Sequence, residues 1–224
     1  MLHQRMCLMY SPQLHSDMTS KLRSYKRKDV IVFCRTKEAF GGLSNMASGY
    51  PINVNSATIL TSEALYQACR YPHLPNLQQE IIAQTSPMTA KMVGKPYRDN
   101  SRPDWLQVRT KVMRWCLRVK LAQNFERFSE LLLSTGDLCI VEFSRKDEFW
   151  GAKVSPESDE ILIGQNILGR LLMELREALK VENAESFKTV PPPNIPNFFL
   201  FEKQIEEVFG HGDKLDNQWQ QNLF

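Results

Sequence analysis

The chain has 224 residues, of which 42% are hydrophobic and 24% are charged, and its formal net charge at pH 7 is +3. This composition is typical of one globular domain with a sizeable core, and it excludes a largely disordered chain. No apolar run is long enough to cross a bilayer, and residues 1–28 lack the apolar core of a secretory signal. We therefore expect a cytoplasmic protein without a membrane partner. The small net charge is only a weak argument for nucleic-acid binding.

Metal and cofactor motifs do not occur in the sequence. The five cysteines and four histidines are scattered without zinc-ligand spacing, and no glycine-rich phosphate-binding fingerprint is present. We therefore expect no cofactor and no metal, although carboxylates alone could hold magnesium. Acids, amides and aromatic side chains remain as the groups available for chemistry.

The first 28 residues end in a basic run from Lys21 to Lys28, which predicts a flexible basic extension over 1–28. The apolar run at 30–34 has the length of a strand. The Gly41-Gly42 pair follows it and indicates a loop where the backbone turns tightly or approaches a ligand closely.

Helical signals dominate the rest of the chain. Thr61-Ser62 is a typical N-cap, and Ser86-Pro87 is a typical helix start. In the longest predicted helix, Arg109 and Lys120 lie at the border of the apolar arc, where a long side chain can reach a pocket mouth. The predicted helices cover 63–70, 76–84, 103–124, 125–133 and 168–180, with another from Pro87; a strand is predicted over 138–143, and polar loops over 94–100 and 144–158.

This order of elements predicts an α+β protein, a compact and mainly helical single domain with a small sheet. We expect the functional domain over 29–182. The segment 183–210 carries a proline run and an aromatic run and is expected to dock on that domain. The tail 211–224 is rich in Gln and Asn and is expected to be frayed.

Candidate catalytic groups are carboxylates. Glu63 opens a helix and shares one side of it with Tyr66 and Gln67. An acid in a first turn also stabilises the helix dipole by roughly 0.3 to 1 kcal/mol, so spacing alone favours a structural role for Glu63 and equally for Asp104. Glu142 lies in an apolar strand, where it needs a partner or a task if both of its faces are buried.

Asp147, Trp150 and Gly151 share one loop, in which the tryptophan could cover the core or stack on a nucleobase. Carboxylates beside aromatic rings suit the cleavage of a bond between a base and a ribose. Such a reaction passes through an oxocarbenium-like sugar that a carboxylate stabilises, while a carboxylate activates water or attacks the sugar. The spacing alone is a weak signal for this chemistry.

Eight segments, in order and over about residues 30 to 180, give the chain its resemblance to the NADAR family, also called the YbiA-like family. They are FGGLSN at 40–45, TSEALYQA at 61–68, SPM at 86–88, RPDW at 102–105, LLSTGD at 132–137, VE at 141–142, DEFWG at 147–151 and GQNILGRLLM at 164–173. Each segment is short, but eight in register form a specific signal.

The resemblance implies a YbiA-like fold that binds ADP-ribose or ribose phosphate. One activity of the family removes ADP-ribose from guanine in DNA and reverses a DarT-type toxin; the segments 33–40 and 62–67 look closest to this branch. The implied partners are ADP-ribose, ADP-ribosylated DNA and a cognate DarT-type toxin, to which the chain would be the antitoxin. The alternatives are an N-glycosidase of early riboflavin-pathway intermediates, which releases ribose 5-phosphate, and a non-catalytic ADP-ribose-binding module.

The resemblance also implies roles for individual residues. The catalytic candidates are Glu63, Asp104 and Asp147. The expected substrate-binding residues are Arg35, Gly41, Gly42, Leu43, Ser44, Asn45, Tyr66, Gln67, Lys91, Trp105, Glu142, Trp150, Gly151, Lys153 and Asn166. The tryptophans would stack on the base or ribose, and the glycine loop with the cations Arg35, Lys91 and Lys153 would hold a pyrophosphate. Asn166 would fix a hydroxyl.

Two departures from the family pattern alter this expectation. Ala64 and Leu65 replace a histidine and an aromatic residue that follow the Ser-Glu pair in many relatives. Ala152 and Lys153 stand where many relatives have Asp-Gly. One loop carboxylate is thereby lost and a cation is gained, which leaves Glu63 with fewer rivals as the catalytic acid.

Overall fold

The computed structural model describes residues 21–210. Within them the chain forms six α-helices, separated by short strands and 3₁₀ turns. The helices are α1 (Ser62–Ala68), α2 (Pro75–Ile82), α3 (Pro87–Val93), α4 (Trp105–Gln123), α5 (Phe125–Leu133) and α6 (Ile167–Val181). All six were predicted, and the reasons are local: the Thr61 hydroxyl accepts the amide of Ala64 at the start of α1, and the Ser86 hydroxyl accepts that of Thr89 at the start of α3.

The strands form several small sheets, which gives the expected α+β class with more than one sheet. They are β1 (Arg23–Lys26), β2 (Val30–Phe33), β3 (Ile52–Val54), β4 (Ala57–Ile59), β5 (Cys139–Glu142), β6 (Lys153–Ser155), β7 (Ser158–Gly164), β8 (Thr189–Val190), β9 (Phe199–Leu200), β10 (Lys203–Gln204) and β11 (Val208–Phe209). The predicted strands β2 and β5 pair in parallel, and their register sets Phe33 opposite Glu142. The pairs β3–β4, β8–β11 and β9–β10 are antiparallel.

Residues 23–28 differ from the prediction of a flexible extension. β1 pairs with β7 along its whole length, in a sheet of order β1-β7-β6, and a 3₁₀ turn Arg27–Asp29 follows. Tyr25 is buried in a small second core with Val141 and Leu162. A single apolar residue within a basic run carries almost no periodicity, so the strand could not be recognised from its own sequence. Residues 1–20 and 211–224 lie outside the described part, together with the predictions made for them.

Two predicted polar loops contain regular structure. Residues 94–100 include the 3₁₀ helix Lys95–Asn100, and residues 144–158 include β6, which pairs with β7. In the segment 183–210, Phe198 is buried and packs edge-on against Trp115 with ring centroids 4.9 Å apart. This contact joins the segment to α4, the central helix, which also packs against α1, α5 and α6. In residues 21–210, no helix combines the length and the apolar character needed to span a bilayer.

Candidate active site

Glu63 lies in the first turn of α1, and only 4% of its surface is exposed. Its Oε1 accepts a hydrogen bond of 2.8 Å from Gln67 Nε2, one helical turn later. Its Oε2 accepts a hydrogen bond from Asn45 Nδ2, and the Glu63 amide donates to the Asn45 carbonyl at 2.9 Å. Two side-chain amides therefore fix the carboxylate, while the loop 41–45 is fastened to the start of α1.

A buried lysine anchors the loop 41–45 to α4. Lys120, in α4, donates from Nζ to the carbonyl of Gly42 at 2.5 Å and to that of Ser44 at 3.1 Å. The ammonium also lies 4.3 Å from the ring centroid of Tyr50 and 4.2 Å from that of Phe128. Burial lowers the pKa of Lys120 well below its usual range. The side chain thus ends under the loop and not at a pocket mouth.

The glycine pair is required by contacts within the protein. A Cβ at Gly41 would lie 2.4 Å from the backbone carbonyl of Thr36, and one at Gly42 would lie 2.5 Å from the hydroxyl of Tyr50. Of the two interpretations of this pair, the tight turn is the one the structure shows. Leu43 and Ser44 are buried beside it, and Leu43 belongs to the main core.

Glu142, at the end of β5, shares an electrostatic environment with Glu63. Burial, followed by the charges of Asp147 and Glu63, raises the pKa of Glu142 to about 7, and Lys91 opposes the rise. Burial also raises the pKa of Glu63, against the lowering effects of Lys91, Gln67 and Asn45. Three carboxyl groups and one lysine therefore act on one another here, and burial favours the protonated form of both glutamates.

Asp147 shapes the loop between β5 and β6. Its Oδ1 accepts the amides of Phe149 and Trp150, each at 2.9 Å. Carbonyls of this loop in turn accept amides from the start of α6: the Phe149 carbonyl accepts that of Ile167, and the Trp150 carbonyl that of Leu168, each at 3.0 Å. Asp147 therefore sets the position of Trp150 as well as contributing negative charge to both glutamates.

Aromatic rings form a wall beside the carboxylates. Tyr66 packs against Trp105 with centroids 5.0 Å apart and edge-on against Trp150 at 5.5 Å. Phe149 continues the wall, because its ring centroid lies 5.0 Å from that of Trp150. We call Trp105, Tyr66, Trp150 and Phe149 the aromatic wall. Burial and then the charge of Glu63 raise the pKa of the Tyr66 hydroxyl well above its usual range, which places this hydroxyl near the catalytic candidate.

Asp104, the second catalytic candidate, forms an ion pair. Its carboxylate pairs with Arg102 through contacts of 2.5 and 3.0 Å, and the hydrogen bond from Arg102 lowers the pKa of Asp104. Arg102 also donates to the carbonyl of Pro196 at 2.7 Å, in the C-terminal segment. Asp104 borders a separate cavity of about 650 Å³, whose lining residues are Pro72, His73, Pro75, Arg102, Pro103, Asp104, Pro196, Asn197, Phe199 and Glu202. The structure thus shows Asp104 in an ion pair with Arg102, and its catalytic role stays a prediction.

Both polar atoms of the Asn166 side chain are hydrogen-bonded within the protein. Its Oδ1 accepts the amide of Glu142 at 3.1 Å, and its Nδ2 donates to the carbonyl of Ile140 at 2.8 Å. The residue is fully buried and has a left-handed backbone, with φ of 51°. Asn166 therefore fixes the end of β5, and hence the position of Glu142. The sequence had instead suggested that it binds a substrate hydroxyl.

The remaining predicted residues take varied positions. Lys153 forms an ion pair of 2.6 Å with Glu148, and Arg35 is exposed in the loop after β2. Gly151 lets two chain segments cross, because a Cβ there would lie 2.5 Å from the Glu142 carbonyl. In the described part of the chain, no group of three or more His, Cys, Asp or Glu side chains is arranged to hold a metal ion.

Phe149 and Arg109 also lie at the site, although no role there was predicted for either residue. The Arg109 guanidinium lies 3.5 Å from the ring centroid of Phe149, so both belong to the end of the aromatic wall. The position of Arg109 at the border of the apolar arc of α4 was the only sequence signal for it. Phe149 lies within one of the eight segments of family resemblance, but the stacking role in that segment was predicted for its neighbour Trp150.

The fold and site together define an α+β domain with a buried carboxylate centre and an aromatic wall. The model of the NADAR domain family matches residues 32–180, so the chain belongs to this family. It is 35% identical over 162 residues to N-glycosidase YbiA of Escherichia coli (strain K12), covering 72% of this chain and 96% of that protein. It is 34% identical over 161 residues to riboflavin biosynthesis protein VVA0006 of Vibrio vulnificus (strain YJ016), covering 71% of this chain and 41% of that protein.

A solved structure agrees with this assignment. The chain is similar to the NMR structure of the E. coli protein YbiA, with a TM-score of 0.56 and 32% sequence identity. The match covers 70% of this chain and 91% of the other. The YbiA-like fold expected from the eight segments is therefore confirmed.

Proposed function

We propose that the protein is an N-glycosidase that hydrolyses the bond between C1′ of a ribose and a nitrogen of the group it carries. The observation that carries the proposal is the pair of buried Glu63 and half-buried Glu142, two carboxyl groups with raised pKa values next to the aromatic wall. Glycosidic bonds are commonly cleaved by two carboxyl groups of which one is protonated and one ionised. The names of the N-glycosidase relatives support the same reaction.

In the proposed reaction the bond from C1′ to nitrogen breaks, and its electron pair leaves with the nitrogen. Glu142, protonated below about pH 7, donates a proton to that nitrogen. The Glu63 carboxylate stabilises the positive charge on the sugar and accepts a proton from the water whose oxygen bonds to C1′. In the alternative route Glu63 attacks C1′ itself, and water then hydrolyses the ester. Asn45 and Gln67 keep the Glu63 carboxylate in one orientation in either route.

The first candidate substrate is DNA that carries ADP-ribose on guanine. It is supported by the resemblance of segments 33–40 and 62–67 to the family branch with that activity. In this function the protein acts in the cytoplasm as an antitoxin, and a DarT-type ADP-ribosyltransferase produces the modified DNA.

The second candidate substrate is an early intermediate of riboflavin biosynthesis. It is supported by the names of two relatives, the Vibrio vulnificus protein above and the riboflavin biosynthesis protein PYRR, chloroplastic, of Zea mays. The maize protein is 32% identical over 165 residues, which cover 67% of this chain and 25% of that protein. The same two glutamates would release ribose 5-phosphate from this smaller substrate.

A side-by-side assay tests the function and separates the candidates. Wild type, Glu63→Gln and the exposed α2 control Glu80→Gln are incubated with guanine-ADP-ribosylated oligonucleotide and with the riboflavin intermediates, and the products are analysed by mass spectrometry. We expect free ADP-ribose from the oligonucleotide with wild type and control, and a rate about 10² to 10⁴ times lower with Glu63→Gln.

Each other outcome rejects one reading. Turnover of the riboflavin intermediates alone rejects the DNA substrate and supports the second candidate. Binding of ADP-ribose without turnover of any substrate would show a non-catalytic binding module. An unchanged rate in Glu63→Gln rejects the mechanism.

A further inference from the structure

Arg109 is an arginine of α4 whose charge has no partner in the described part of the chain. The central carbon of its guanidinium lies 3.5 Å from the ring centroid of Phe149, at the end of the aromatic wall. Its Nε is buried and has no hydrogen-bond acceptor within residues 21–210. The residue as a whole is half-buried.

Three other buried or half-buried arginines around α4 and α6 are paired. Arg102 binds Asp104, and Arg114 binds Glu174 at 2.8 and 3.0 Å. Arg176 binds Glu177 at 3.0 Å and also donates to the Leu138 carbonyl at 2.7 Å. These three arginines have acceptors within the protein, whereas Arg109 Nε has none in residues 21–210.

An unpaired buried donor on a cation is costly. Leaving a buried donor without an acceptor destabilises a protein, and more so when the donor belongs to a charged group. Stacking on Phe149 offsets part of this loss but provides no acceptor oxygen. An anionic ligand with several oxygens would satisfy the free edge of the guanidinium, and a phosphate fits its fork of donors.

Arg109 is connected to the carboxylate centre through the aromatic wall. Phe149, on which it stacks, packs on Trp150, and Trp150 packs on Tyr66. The Tyr66 hydroxyl is subject to the opposing charges of Glu63 and Arg109. A ligand that spans from Glu63 to Arg109 would therefore lie against the wall.

We propose that Arg109 binds the phosphate on the 5′ oxygen of the substrate ribose, with its face on Phe149 and its donor edge on the phosphate oxygens. This inference rests on the proposed function and deepens it, since it selects 5′-phosphorylated ribosides, as a monoester or as a pyrophosphate. It also places the phosphate at Arg109 and not at Lys153 or Arg35, two of the cations predicted from the sequence. Lys153 is paired with Glu148, and Arg35 is exposed in a surface loop.

The test compares Arg109→Gln with Arg118→Gln, which removes an exposed arginine from the same helix. Calorimetric titrations with ADP-ribose and with ribose 5-phosphate give the dissociation constants, and unfolding curves show that each variant is folded. We expect Arg109→Gln to bind at least one of the two ligands at least tenfold more weakly, with Arg118→Gln like wild type. The ligand that loses affinity identifies the pyrophosphate or the monoester as the natural group. Arg109→Lys keeps the charge without the planar fork and should fall between the two; it provides the comparison if the glutamine variant does not fold.

Unchanged affinity of Arg109→Gln for both ligands overturns the proposal, as does an equal loss in Arg118→Gln. Failure of wild type to bind either ligand overturns it as well. The turnover assay separates this result from the function itself. An Arg109-dependent affinity without turnover keeps the phosphate site and rejects the glycosidase, whereas turnover with Arg109-independent affinity rejects the site and keeps the glycosidase.

Discussion

Replacing Glu142 with glutamine should make the protein more stable at alkaline pH while it abolishes most of the activity. Burial and two neighbouring carboxylates raise the pKa of Glu142 from the ordinary 4.5 to about 7. The folded protein therefore holds this proton more tightly than the unfolded chain does. Stability falls as the pH rises from the unfolded pKa to the folded one, and the loss is complete above it.

The magnitude follows from the gap between the two pKa values, 4.5 and about 7. One pKa unit is worth about 1.4 kcal/mol, so ionised Glu142 destabilises the fold by about 3 kcal/mol at pH 8.5. Part of this loss is already present at pH 5. Glutamine has no charge at either pH, so the free energy of unfolding of Glu142→Gln should gain about 2 to 3 kcal/mol on wild type between pH 5 and pH 8.5.

Urea denaturation followed by circular dichroism at the two pH values measures this difference. Glu157→Gln, in the exposed turn between β6 and β7, is the control and should keep a constant difference from wild type. The same Glu142→Gln protein should lose about 10² to 10⁴ in kcat, because it can no longer donate a proton to the leaving nitrogen. A stability difference that does not change between pH 5 and pH 8.5 would refute the reasoning about burial.

Three further changes test the remaining parts of the site. Asp147→Asn keeps the loop acceptor but removes a charge that raises the pKa of both glutamates, so both limbs of the pH profile of kcat/KM should move to lower pH by roughly half a unit or more; a fixed profile would contradict this. Lys120→Met removes the donor to two loop carbonyls and should lower kcat by about tenfold or more, whereas exposed Lys111→Met should leave it unchanged; equal kcat in the two variants would contradict the loop-anchoring role. Asp104→Asn breaks the ion pair with Arg102 and should lower Tm by a few degrees while kcat stays within about threefold of wild type; a catalytic Asp104 would instead cost about 10² or more.

The part of the site that lies on one helix could be predicted from the sequence. Thr61 is a capping residue by type, and the spacing of Glu63 and Gln67 puts them on the same side of α1. The structure shows both the cap and the hydrogen bond between those two side chains. Local spacing fixes such contacts because each depends on a single turn of helix.

The environment of Glu142 could not be obtained in this way. Its raised pKa depends on Asp147 from the following loop, on Glu63 from α1 and on Lys91 from α3. Glu63 and Lys91 are far from Glu142 in sequence and approach it only through tertiary packing. Strand alternation predicted that Glu142 would need a partner or a task if buried, but it contained no information about which acids lie beside it.

The interactions of Asp104 and Lys120 could not be predicted from the sequence, for two different reasons. Asp104 pairs with a residue two positions earlier, but the geometry of that arginine depends on the carbonyl of Pro196 in the C-terminal segment. Lysine is almost never fully buried without a partner, so the sequence favoured a pocket mouth for Lys120. Its actual partners are backbone carbonyls and two rings, and neither kind of partner leaves a pattern in the sequence.

The residue at 152 bears on the proposal that Glu142 is the second acid of the site. Ala152 is fully buried in the small core with Tyr25 and Leu162, and its amide donates to the Glu142 carbonyl at 2.8 Å. An aspartate at this position would put an unpaired charge among apolar side chains, at a cost of several kcal/mol. The apolar surroundings of residue 152 in this chain therefore disfavour the carboxylate that many relatives carry there. Glu142 is joined to Ala152 by a backbone hydrogen bond, its pKa is about 7 and the charge of Glu63 is among the causes that raise it, so in the proposed mechanism Glu142 is the group that supplies the proton.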